Sequence, residues 1–136
     1  MGYEILEHTA DEKFRATGQS LEEAFKEATK AFSEITKADK GKVKHNIKIQ
    51  SENTEALLFD YLDKLIFLQD TEGVAVSHTE NLNIEEKQHS YKIKADIITE
   101  PITPGMKLTD IKAPTYNEMK ATYEDGKWIL EAVLDI

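Results

Sequence analysis

Cysteine is absent from the 136-residue chain, so a disulfide framework, a thiolate metal centre and a cysteine nucleophile are all excluded. A thiol-free composition suits a reducing cytoplasm. Proline, at 3 residues, and glycine, at 6, are too sparse for a flexible linker, and no glycine-rich phosphate loop is present. Nowhere do about 18 apolar residues follow one another, so no membrane-spanning segment is expected. The opening Met1-Gly2-Tyr3-Glu4-Ile5-Leu6-Glu7 lacks a basic stretch followed by an apolar run, which argues against secretion. Basic residues are in deficit: 17 Lys plus Arg stand against 26 Asp plus Glu, a formal charge of -9. Such a field repels a phosphate backbone, so tight direct binding of nucleic acid is not expected, whereas a cation or a basic protein partner is compatible with it. The same surplus also serves plain solubility.

What the chain does contain is periodicity. Tyr3, Ile5, Phe14 and Ala16 alternate as two short strands interrupted by His8-Thr9-Ala10-Asp11, and Gly18 ends that unit. Ser20-Leu21-Glu22-Glu23 reads as a capping box, followed by Leu21, Ala24, Phe25, Ala28, Phe32 and Ile35 at helical spacing. Val43, His45, Ile47 and Ile49 alternate as a strand. Leu57, Leu58, Tyr61, Leu62, Leu65 and Leu68 then mark a second helix from Thr54 to Gln69, closed by Gly73. From Val74 onward the period is two, with candidate strands at Val74–Val76, Leu82–Ile84, Tyr91–Ile97, Ile111–Glu124 and Lys127–Leu134. Glu100 to Gly105 reads as a loop, and Asp125-Gly126 as a two-residue hairpin turn. The length fits one domain, and the pattern predicts an α+β fold: two helices packed on a mostly antiparallel β-sheet.

The chain ends carry a candidate constellation. Counting back from the hairpin turn with Glu124 facing Lys127 sets Asp135 opposite Tyr116 and Ile136 opposite Thr115, with Lys112 leaning past the chain end. A bulge would shift this register and flip the faces. Were the last strand also beside the first, Asp11, Asp135 and the carboxylate of Ile136 would gather hard oxygen donors of the kind calcium and magnesium prefer. Equally, Asp11 could cap a turn and Asp135 end a strand in solvent, and spacing alone favours that plainer arrangement. His8 beside Asp11 admits acid-base chemistry, although a histidine next to a turn more often makes a structural hydrogen bond. His45, His78 and His89 lack ligand spacing. Asp70-Thr71-Glu72 sets acidic residues at a helix C-terminus, against its dipole, which marks either a solvated end or a functional surface.

These residues together resemble the archease family. The resemblance rests on His8-Thr9-Ala10-Asp11, Ser20-Leu21-Glu22-Glu23-Ala24-Phe25, Leu57-Leu58-Phe59-Asp60-Tyr61-Leu62-Asp63-Lys64-Leu65, Ile111-Lys112-Ala113-Pro114-Thr115-Tyr116 and Leu134-Asp135-Ile136, in that order along nearly the whole chain. It implies a cytoplasmic accessory protein, not an enzyme, that activates the tRNA-splicing ligase RtcB by promoting its guanylylation, supporting multiple turnover and broadening its nucleotide use. It also implies a divalent metal site, calcium by preference, on Asp11, Asp135 and Ile136, and a functional lysine at Lys112. Two positions depart from the family pattern: Asn117 stands where a histidine is common, and Pro114 where an aliphatic residue is. Pro114 cannot donate a ladder hydrogen bond, so its strand is expected at a sheet edge or locally irregular. The competing function is a small metal-dependent or acid-base enzyme using His8 and Asp11. A general chaperone-like module would require a large exposed apolar groove, for which the one-sided helix stripes leave no surplus face.

Overall fold

The computed structural model describes residues 2–6 and 11–136. In it the elements run β1 (Tyr3–Leu6), β2 (Glu12–Gly18), α1 (Leu21–Thr36), β3 (Val43–Ser51), α2 (Thr54–Glu72), β4 (Val74–Lys87), β5 (Ser90–Pro101), β6 (Ala113–Glu124) and β7 (Lys127–Asp135). The strands form two sheets, of order β1-β2-β7-β6 and β3-β5-β4, and every pairing is antiparallel. The α+β class is therefore as expected; its division into two sheets is a finding of the structure.

Both helices start where local chemistry dictates. Ser20 Oγ accepts the Glu23 amide at 3.1 Å, and Asn53 Oδ1 accepts the Ala56 amide at 2.8 Å, each satisfying an otherwise orphaned helix N–H. Gly73 ends α2 in the left-handed conformation at φ 63, the position a glycine C-cap requires. Helix α1 packs on β2 and β4, one strand from each sheet, while α2 packs on β6, β3 and β4, so the helices join the two sheets into one core. Phe14, Phe25, Phe32, Leu62, Ile93, Ile97 and Leu130 are fully buried there, each stabilising the fold by about 1.5–3 kcal/mol relative to exposure. Tyr61 is buried among them, its hydroxyl 2.6 Å from Thr29 Oγ1 and its ring edge-on to Phe25 at 5.3 Å. Burial pushes its phenol up to about 12 despite its hydrogen bonds with Thr29 and Thr79.

Several strand boundaries differ from expectation, and β6 begins at Ala113, not Ile111. Val74–Val76 and Leu82–Ile84 belong to one long strand, β4, whose pairing with β5 slips between Val76 and His78 and again between Glu80 and Asn83. Those bulges interrupt the period-two pattern. Strand β5 extends to Pro101, which pairs with Val74, so the loop begins at Ile102. As Pro114 suggested, β6 lies at an edge of its sheet.

Candidate functional site

Strand β7 is flanked by β2 on one side and β6 on the other. Its C-terminal end therefore meets the first residues of both neighbours. Glu12 pairs with Leu134, so continuing the ladder by one residue sets Asp11 beside Asp135. On the opposite flank Ala113 pairs with Asp135, and the Lys112 amide donates to the Asp135 carbonyl at 2.8 Å. Asp11, Lys112, Asp135 and Ile136 thus converge on one rim of the four-stranded sheet. Asp11 is half-buried, whereas Lys112, Asp135 and Ile136 are exposed.

This register corrects the one counted from the hairpin turn. Asp135 stands opposite Ala113, not Tyr116, and Thr115 is opposite Val133, not Ile136. The turn itself is regular: Asp125 at φ 51 and Gly126 at φ 79 form the expected two-residue reversal, and Glu124 does face Lys127. The slip occurs midway, between Thr115 and Lys120, where residues 116–119 stand against Ala132 alone. Glu118 adopts φ 60 within that bulge, and its Oε1 lies 3.4 Å from Lys13 Nζ on β2, across β7. No glycine marks this bulge; the polar pair Asn117-Glu118 inside an alternating run is its one sequence trace. The slip displaces Lys112 toward the chain end, so it lies nearer Asp135 than continuous pairing would put it.

The donors at the rim are hard oxygens, the class that suits calcium or magnesium. Among the described residues, no group of three or more His, Cys, Asp or Glu side chains could hold a metal ion. The rim set draws on two side chains, Asp11 and Asp135, and on the main-chain carboxylate of Ile136. Among the described residues Lys112 forms no ion pair, and Lys13 is engaged by Glu118. His8 lies outside the described residues.

Close to the rim, the β6 bulge presents an aromatic pair that sequence reading passed over. Tyr116, 58% exposed, stacks on Phe59 of α2 with ring centroids 4.2 Å apart and planes 1° from parallel. Desolvation, and then the Asp60 carboxylate, raise the Tyr116 phenol above its usual range. Asp60 is itself held by Ser51 Oγ at 2.6 Å.

Comparison with known proteins agrees along the chain. The archease protein family (MTH1598/TM1083) matches residues 3–136. Among relatives, the chain is 38% identical to the protein archease of Pyrobaculum islandicum, covering 98% of this chain and 95% of that protein. It is 34% identical to the protein archease of Pyrococcus abyssi, covering 98% of each. Its fold resembles the solution structure of Methanobacterium thermoautotrophicum protein 1598, with TM-score 0.83, 30% identity and 99% of each chain covered. It also resembles the crystal structure of an archease, possible chaperone, from Thermotoga maritima, with TM-score 0.62, 26% identity and 96% and 94% covered.

Proposed function

Because the chain belongs to the archease family, we propose that it is a cytoplasmic accessory protein of the RNA-splicing ligase RtcB. In this reading it promotes guanylylation of the ligase, supports its multiple turnover and broadens its nucleotide use. The observation that supports this best is the convergence of Asp11, Asp135, Ile136 and Lys112 on the rim at the end of β7. Asp11, Asp135 and the Ile136 carboxylate would hold a divalent cation, calcium by preference, which supplies fixed positive charge to three neighbouring anions. Lys112 contributes an exposed ammonium on a flexible stem, suited to a carboxylate or phosphate of the partner. A charge of -9 favours a basic protein surface over naked RNA. The chain's task is then to orient groups of the ligase, not to bind the RNA itself.

The test is single-turnover guanylylation of RtcB with the parent protein, Lys112→Ala and Asp11→Ala. Lys112→Ala should lose most of the stimulation while its stability changes by no more than about 0.5 kcal/mol, as for an exposed residue. Asp11→Ala should lower calcium affinity at least about tenfold, and so should residues appended after Ile136. A gel-shift of tRNA by the protein alone should show no tight complex at physiological salt. Full stimulation by both variants would refute the assignment of the rim.

A further inference from the structure

The loop from residue 102 to residue 112 straps the ends of both helices. Its Ile102 amide donates to the Gly73 carbonyl at 3.0 Å, and its Thr109 amide to the Thr36 carbonyl at 3.0 Å. Beneath the strap lies a cavity of ≈ 240 Å³, smaller than the pockets of about 300 Å³ and upward that enclose drug-sized ligands. Helix C-termini carry partial negative charge, usually offset by basic residues. Neither α1 nor α2 has a basic residue in its last turn. Two carboxylates, Asp70 and Asp110, line the same cavity, and among the described residues neither forms an ion pair.

A second observation concerns Thr36. Helical threonines ordinarily spend their hydroxyl on the preceding turn, as Thr29 does on the Phe25 carbonyl at 2.8 Å and Thr71 on the Phe67 carbonyl at 2.7 Å. Thr36 lines the cavity, is 1% exposed, and its Oγ1 has no partner. An unpartnered buried hydroxyl is destabilising, so its place here points to a group outside the chain. The rest of the lining combines the apolar Ile102, Met106 and Leu108 with Gln69 and Thr109, and Gln69 already spends its Oε1 on the Val76 amide at 2.9 Å.

From this set of groups we propose that the cavity binds a primary alkylammonium, carried by a free aliphatic amine or by a lysine side chain of a partner. An ammonium has three donors and no acceptor, matching the Asp70 and Asp110 carboxylates and Thr36 Oγ1. Its methylenes lie along the apolar wall. Only two carboxylates face this cavity, and among the described residues no group of three or more His, Cys, Asp or Glu could hold a metal ion.

The experiment is an amide NMR titration of the full chain with n-butylammonium. Shifts should concentrate on the strap and the two helix ends. Shortening the alkyl chain should weaken binding about fourfold per methylene. Asp70→Asn and Asp110→Asn, both exposed changes that keep the fold, should each weaken binding about tenfold or more. Thr36→Val should raise the melting temperature of the free protein while weakening binding. Comparable binding of Nα-acetyl-lysine amide assigns the site to a partner's side chain; binding of butylammonium alone assigns it to a free amine. Binding that ignores alkyl length, survives Asp70→Asn, or is displaced by calcium would overturn the proposal, as would absence of binding at millimolar amine.

Discussion

Excising Tyr116, Asn117 and Glu118 should leave the rim intact. Four residues of β6, 116–119, stand against Ala132 of β7, so removing three restores one-to-one pairing. Met119, already packed against the core, would then face Ala132, with Thr115 still opposite Val133 and Ala113 still opposite Asp135. The energetic terms are small and opposed. The Phe59 stack is lost, at about 0.5–1.5 kcal/mol, and so is the solvent-screened Lys13–Glu118 pair, at about 0.2–1 kcal/mol. Relief of the left-handed Glu118 backbone returns about 1–2 kcal/mol. The net change should stay within about 1.5 kcal/mol; at roughly 2.1 cal/mol/K per residue for the unfolding entropy, that is about 5 °C in melting temperature. Thermal melts give the first number. Amide hydrogen exchange gives the second, because Lys112 N–H should remain protected by the Asp135 carbonyl. A fall of more than about 10 °C, or loss of that protection, would show that the bulge itself holds the rim together.

Two further outcomes follow from named contacts. At Gly41 a Cβ would come within 2.2 Å of the Thr99 carbonyl oxygen, forcing apart a segment tied by Lys42 N–H to that same oxygen. Gly41→Ala should therefore cost about 2–4 kcal/mol by urea denaturation, against about 1 kcal/mol for Gly73→Ala, where the strain is conformational and nothing lies within 4 Å; equal costs would refute the close-approach account. The Asn81 and Asn46 amides hold the Asp96 carboxyl below its usual range, so its stabilisation is present above the unfolded value and is lost as pH falls through the folded one. Melting temperatures of the parent and Asp96→Asn should accordingly converge as pH drops below about 4, and a gap independent of pH would contradict that linkage.

How legible each feature was depended on how local its cause is. Ser20, Gly73 and Asp125-Gly126 act through their own few neighbours, and each marks in the sequence the cap or turn it forms in the fold. Pro114 likewise announced an edge strand through the donor it lacks. The bulges of β4 and β6 carry no glycine or proline to mark them, and an alternating run does not say where a ladder slips. That is why the count from the turn reached the right neighbourhood with the wrong partners. Asp11 could be placed beside Asp135 only on the supposition that the last strand lies near the first; in the fold it is β2, the second strand, that pairs with β7. Thr36 was invisible for another reason, since within an amphipathic stripe a threonine with a spent hydroxyl and one without look the same.

The central position of β7 also bears on how the molecule is made. Its pairing of Glu12 with Leu134 closes nearly the whole chain, a contact whose loop entropy must be met before the pairing rewards it. During synthesis β1, β2 and α1 leave the ribosome with one edge of their sheet unpaired, and they stay so until β7 follows. A strand edge of that kind can template association with other chains. The β6–β7 hairpin, nucleated by its own turn, can form first and dock as a unit, which would make the rim among the last parts of the protein to assemble and the first to report incomplete folding.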